Sequence, residues 1–253
     1  MKTIRNRKAF IWFCTYLLLV VMLSCKNGSE QKNESMPSAE ERAAKAVWID
    51  LFDGKSFKGW HTYMQDSISG QWQIQDEALI YRPDPDMPQG VNNLVTDRQF
   101  TNFELALEWK ISTDGNSGVF YGILEDAKYV VPYMTAPEIQ IRDYTSNPDF
   151  DDMKQMSGAI FGIIGPERDL ARPAGEWNQF LIRVDHRNNE GMVMLNGEEA
   201  IRFPVNGENW DTLVGNSKFR DWEGFGVHKT GPIGLQDHAH EVWFRNIRLR
   251  ELD

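Results

Sequence analysis

The sequence predicts an all-β fold, a two-sheet antiparallel sandwich of jelly-roll type, and three observations carry that prediction. Apolar residues recur with period two far more often than with period 3.6. About a dozen short runs of this kind are separated by Gly, Asn, Asp and Pro turns. From about Val47 to Asp253 no low-complexity break divides the chain, and all-β sandwiches reach that length as one domain.

The first two segments lie outside that domain. Residues 1–24 carry Lys2, Arg5, Arg7 and Lys8 but no acid, followed by an apolar run from Phe10 to Leu23. The run is shorter than the roughly 20 residues a helix needs to span a bilayer and has a basic stretch before it, so it reads as a secretory signal. Leu23-Ser24-Cys25 resembles a bacterial lipobox, which makes Cys25 the expected lipidated first residue of a lipoprotein facing the periplasm or the cell surface, most simply on the outer membrane. Acyl chains gain about 0.8 kcal/mol per buried CH₂, which is enough for an anchor. Residues 25–46 have no aromatic and almost no large aliphatic side chain and form a tether. Cys14, the other cysteine, falls in the removed segment, so no internal disulfide is expected. The net charge of −10 becomes more negative once the four basic residues leave, which disfavours nucleic acid as a partner.

Within the domain, Gln71 to Tyr81 reads as a hairpin turning at Asp76-Glu77. Phe103 to Ile111 alternates cleanly: Phe103, Leu105, Leu107, Trp109 and Ile111 share a packed face, while Glu104, Ala106, Glu108 and Lys110 share a face open to water or ligand. Asp114 to Gly118 reads as a turn before a strand over Val119 to Leu124, with Asn116 and Ser117 able to reach a sugar. Glu138, Gln140 and Arg142 point one way on an extended segment and Ile139 and Ile141 the other, so the polar row is either a cleft floor or a solvated face. Asp151 to Met156 suits a turn. Trp177 to Asp185, Gly191 to Leu195 and Glu198 to Phe203 form a meander, its second connection the hairpin signal Asn196-Gly197. Residues after Asn209 read as an irregular excursion in which Trp210 and Trp222 are placed to stack on sugar rings.

The end of the domain is dense in chemistry. A Gly-Pro turn leads to Gln236, Asp237, His238, His240 and Glu241, then to a strand with Val242, Phe244 and Asn246 on one face and Trp243, Arg245, Ile247 and Leu249 on the other. His238 and His240 share a face at a spacing a divalent metal can use, although an H-x-H pair is more often a polar loop. The polar row at Glu138 lacks the two carboxylates that a retaining glycosidase needs, since Gln140 and Arg142 occupy the other positions.

Six runs, LFDGKSFKGW (Leu51 to Trp60), GNSGVFYG (Gly115 to Gly122), PEIQIRD (Pro137 to Asp143), GAIFGI (Gly158 to Ile163), GEWNQFLIRV (Gly175 to Val184) and GPIGLQDH (Gly231 to His238), resemble the 3-keto-disaccharide hydrolase family in the family's order. The resemblance implies a concanavalin-like jelly roll that cleaves glycosides already oxidised at carbon 3, paired with a sugar 3-dehydrogenase that supplies them. Such a substrate dispenses with the usual carboxylate pair, because the ketone acidifies the C2 hydrogen and a base can start an elimination. On that reading His238 is the expected base, having an ordinary pKa near neutrality, and Glu138 the expected acid to the leaving oxygen. Gln140, Asn116 and Gln236 would hold hydroxyls or the enolate oxygen, Lys229 or Arg142 would add positive charge, and Asp237 would orient a histidine; a bound cation is the alternative to Lys229. The same fold also serves carbohydrate-binding modules and ordinary glycoside hydrolases, so those alternatives stay open.

Overall fold

A computed structural model describes residues 47–88, 90–147 and 149–252. The signal segment, Cys25 and the tether lie outside the described residues. Thirteen strands are present among those described: β1 (Ile49–Asp50), β2 (Trp60–Thr62), β3 (Trp72–Gln75), β4 (Ala78–Tyr81), β5 (Leu94–Thr96), β6 (Phe103–Ile111), β7 (Asn116–Phe120), β8 (Glu138–Arg142), β9 (Asn178–Asp185), β10 (Glu190–Leu195), β11 (Glu198–Phe203), β12 (Gly234–Leu235) and β13 (Val242–Glu251). One α-helix, α1 (Gly207–Gly215), stands between β11 and β12. None of the described helices is long and apolar enough to cross a membrane.

All pairings are antiparallel and fall into two sheets. The larger runs β11-β10-β9-β6-β13-β4-β3 with β1 added on β13, and the smaller runs β2-β5-β12-β7-β8. The hairpin turns fall where the sequence put them: Asp76 and Glu77 take φ of 52° and 58°, and Asn196 and Gly197 take 54° and 85°, the positive values that a two-residue turn between twisted strands requires. Between the sheets, Leu105, Leu107 and Trp109 of β6 and Phe244 of β13 pack against Val119, Ile139, Ile141 and Leu235 of the smaller sheet. With no disulfide among the described residues, this apolar interior holds the sandwich together, at about 25 cal/mol per Å² buried.

Three expectations need correction. The alternation of the last strand breaks at a bulge: β13 faces β6 in register to Arg245↔Glu108 and resumes at Arg248↔Ala106, and Asn246 takes a φ of 52°. The extra residue flips the parity, so Ile247 and Leu249 join Val242 and Phe244 in the core while Asn246 is exposed. Secondly, the second face of β6 is not open to water along its length. Glu104 is only 5% exposed, because it receives Arg183 Nη1 at 2.9 Å and Arg250 Nε at 2.6 Å. Both guanidinium groups keep some contact with solvent, so Glu104→Ala is expected to cost about 2 kcal/mol, between an exposed pair and a fully buried one, in chemical denaturation. Thirdly, the turn before β7 runs from Ser112 to Gly115, whose N–H donates to the Ser112 carbonyl at 2.9 Å, and Asn116, Ser117 and Gly118 already belong to the strand.

Candidate active site

β8 owes its place to alternation: Ile139 and Ile141 are fully buried between the sheets, which turns Glu138 and Gln140 to the outer face of the smaller sheet. That face is not solvated. Gln140 is 1% exposed and Glu138 8%, since other parts of the chain close over them. Phe161 is one cover, fixed by its N–H donating to the Glu138 carbonyl at 3.0 Å. The excursion after α1 is the other, bringing Lys218, Phe219, Trp222 and Phe225 over the sheet. Between floor and covers lies a cleft of about 400 Å³ that Asn116, Glu138, Gln140, Gln236 and His238 also line, with Tyr133 at its side.

Local details explain how these side chains reach one space. Gly118 faces Gln140 across β7 and β8, and Phe120 faces Glu138. A Cβ on Gly118 would lie 2.6 Å from Glu138 Cγ and 2.8 Å from its Cδ, so this glycine is required by the space that the Glu138 side chain takes, not by a turn. Ser117 Oγ donates to the Gln236 carbonyl at 2.9 Å and the Gln236 N–H donates to the Gly118 carbonyl at 2.9 Å, which docks the segment carrying His238 against β7. In the amide orientation that satisfies its surroundings, Gln140 Nε2 donates to Glu138 Oε1 at 2.8 Å.

Burial moves the two titratable groups in opposite directions. It pushes the Glu138 carboxyl up to about 8, although the Lys218 ammonium and the Gln236 amide work against it, so the group is protonated at neutral pH. It pushes the His238 imidazole down, helped by His240 and the Arg142 charge, so that ring is neutral. Lys218 is likewise pushed down by desolvation, with Glu138 and Asp152 opposing; its ammonium sits 3.7 Å from the Phe161 ring centroid. One cleft therefore holds a proton donor and a proton acceptor ready at the same pH.

The remaining sequence-chosen residues stand elsewhere. Asp237 is fully buried, and its Oδ2 accepts the Gly90 and Asn92 N–H groups at 2.8 and 3.1 Å, so it holds a loop and orients no histidine. Lys229 is exposed, does not line the cleft, and its charge is felt at His186. Arg142 ends the polar row and lies over Tyr144 at 4.7 Å, lining a neighbouring cavity. Of the two excursion tryptophans, Trp210 is buried and donates to the Gly226 carbonyl at 3.1 Å, whereas Trp222 lines the cleft. Lys218, Phe161 and Tyr133 were not chosen from the sequence; Lys218 sits in an irregular stretch whose only signal is its aromatic neighbours.

A metal fits these residues poorly. The His238 and His240 rings stack at 6.0 Å, Glu241 pairs with Arg82 at 3.3 Å and Asp237 is committed to backbone. Among the described residues no group of three or more His, Cys, Asp or Glu gathers to hold an ion.

The model of the 3-keto-alpha-glucoside-1,2-lyase-like domain matches residues 47–250. A 3-keto-disaccharide hydrolase of Bacteroides thetaiotaomicron is 31% identical in an alignment that covers 98% of this chain and 100% of the relative. A glycosyl hydrolase candidate from Parabacteroides distasonis superposes with a TM-score of 0.75 at 28% identity, covering 85% of this chain and 97% of its own. A Bacillus subtilis protein with a galectin-like fold superposes with a TM-score of 0.52 at 13% identity, over 81% of this chain and 94% of its own, which bears on the fold alone.

Proposed function

Because the chain belongs to the 3-keto-alpha-glucoside-1,2-lyase-like family, we propose that it cleaves 3-keto glycosides by removing the C2 hydrogen and expelling the C1 substituent. The observation that carries this reading is that Glu138, whose carboxyl burial pushes up to about 8, and His238, whose imidazole burial pushes down, line one cleft with no second carboxylate among the described residues. A retaining glycosidase needs two carboxyl groups about 5 Å apart, and an inverting one needs two farther apart. A ketone at C3 changes that requirement.

In the first step His238 takes the C2 proton and the C2–H electron pair forms an enolate whose charge rests on the C3 oxygen. The electrons then return to make the C1=C2 bond as the C1–O bond breaks, and Glu138 gives its proton to the departing oxygen. Water next adds its oxygen to C1 while a proton returns to C2. The net change is glycoside plus water to 3-keto sugar plus alcohol, which leaves the protein unaltered once the His238 proton and the Glu138 carboxylate are reset. Lys218, the one cation lining the cleft among the described residues, is suited to the charge that grows on the C3 oxygen. Asn116, Gln140 and Gln236 supply the amides that hydroxyl groups need, and Gln236 Oε1 is buried without a protein partner.

The test compares a disaccharide with its 3-keto form in D₂O, with and without chelator. Release from the keto form alone, with deuterium at C2 of the early product above the blank, is expected. Release from the plain disaccharide would select an ordinary glycosidase, and binding without release a carbohydrate-binding module. A keto product without C2 deuterium, formed with no isotope effect when C2 of the substrate carries deuterium, would replace elimination by direct displacement. The anchor at Cys25, an envelope location and a partner dehydrogenase that installs the ketone complete the proposal; the basic and apolar leader and the chemistry of the substrate support them.

A further inference from the structure

The walls of the cleft are unequal. Its polar groups come from β7, β8 and the segment just after β12, with Lys218 added by the excursion, while the rest of its lining is largely aromatic. Tyr133 and Trp222 both line the cleft, and at 39% and 38% exposed they are the most open of its aromatic residues. Their centroids are 6.2 Å apart with planes tilted by 38°. A ring held between two aromatic faces needs roughly 7 Å, twice the optimal carbon–carbon separation, so the two leave no room to clamp a guest between them and act as one adjoining aromatic patch, or platform.

This platform is built in advance. Trp222 packs edge-on to Phe219 at 5.2 Å and to Phe225 at 6.3 Å, and Phe219 and Phe225 stack at 4.0 Å with planes 3° apart. Backbone bonds from Trp222 to Phe219 at 2.9 Å and from Phe225 to Trp222 at 3.1 Å close the turn that carries them. The Gly226 N–H donates to the Thr135 carbonyl at 2.8 Å, tying that turn to the segment bearing Tyr133. Preorganised rings lose little freedom when a flat guest arrives.

Resting on the reaction proposed above, we propose that the Tyr133–Trp222 platform holds the leaving group and that the enzyme favours 3-keto glycosides whose aglycone is flat and apolar, an aryl or arylmethyl group, over those with a small polar aglycone. The five polar side chains of the floor are enough to satisfy one oxidised pyranose. Beyond it, Tyr133 and Trp222 offer two large rings, each with a single polar atom, against which a flat apolar aglycone gains contact area that a small one lacks.

Methyl and benzyl glucosides and their 3-keto forms make the comparison, since the two leaving alcohols are of similar acidity and differ in the ring. Calorimetric affinity is measured with the unoxidised pair and kcat/KM with the keto pair. The benzyl compound is expected to be favoured on the order of tenfold in both, the size of a good aromatic contact. The benzyl-to-methyl ratio should fall toward one in Trp222→Ala and in Tyr133→Ala and persist in Tyr133→Phe, which keeps the ring. Equal affinity for the two glucosides in the unaltered protein, or a ratio unmoved by both alanine variants, would overturn the platform. Benzyl-selective binding that depends on Trp222, with no turnover of either keto glycoside, would uphold the platform and remove the reaction instead.

Discussion

Glu138→Gln is expected to lower kcat on 3-keto disaccharides by about 10²–10⁴-fold, the range typical of a lost general acid. The amide keeps the shape and hydrogen bonds of the protonated carboxyl but has no proton to give. The deficit should therefore shrink sharply when the aglycone is a nitrophenol, which departs without protonation, and a deficit of equal size on both substrates would take Glu138 out of the acid role. The pH profile follows from the two shifts. Activity of the unaltered protein should decline as pH rises through about 8, where Glu138 loses its proton. It should decline again at acidic pH, where His238 becomes charged below the ordinary imidazole range. The alkaline limb should vanish in Glu138→Gln, and in a His238→Ala variant rescued by added imidazole the acidic limb should move up to the ordinary imidazole range.

Stability gives the same substitution a second readout. The carboxyl titrates near 8 when folded against an ordinary value of 4.5, so the folded state holds an extra proton between those limits. Unfolding then becomes easier as pH rises from about 4.5 to about 8, levelling off above. Glu138→Gln removes this dependence, and its melting temperature should gain on the unaltered protein through that window, by the equivalent of a few kcal/mol at most. A constant difference across the range would mean that the carboxyl is already ionised in the fold.

Gly118→Ala is the second large effect, expected to reduce kcat/KM at least about 100-fold and to lower the melting temperature without changing the strand order. Its new methyl would meet Glu138 Cγ and Cδ at 2.6 and 2.8 Å and lie closer still to Oε1. Gly118 lies within β7 and its φ is not positive, so alanine meets no backbone strain there. The collision reaches Cγ as well as the carboxyl of a side chain that is only 8% exposed, so Glu138 must shift within a closed space at some cost in stability. What is lost is position, and a displacement of about 1 Å at a reacting group is enough for a hundredfold effect. Near-normal turnover by the folded variant, measured below its melting temperature, would show that the carboxyl need not stand where β7 leaves room for it.

Much of this was legible in order along the chain. Period-two alternation exposed the strands, Asn196-Gly197 and Asp76-Glu77 exposed their turns, and the H-bonding side chains of Pro137 to Asp143 and Gly231 to His238 stood out as chemistry on strand-like segments. Those signals are local, because the pleat and the turn are set by neighbouring residues. The bulge at Asn246 was not legible: a single residue with positive φ reverses the faces of everything after it, and no residue type announces it. Glu104 was misjudged for a similar reason, since its partners Arg183 and Arg250 are 79 and 146 residues away.

By itself the sequence determined the all-β class, the polar row on β8, and the two segments that hold Glu138 and His238, because each depends on spacing within a few residues. Only the tertiary structure decided which charges share the cleft. It brought in Lys218 from the excursion after α1, left Lys229 outside and sank Asp237 beneath a loop. It also decided the protonation states, since desolvation is a property of what packs over a group, and Phe161 and the Phe219–Phe225 turn come from strand connections that no local pattern ties to Glu138.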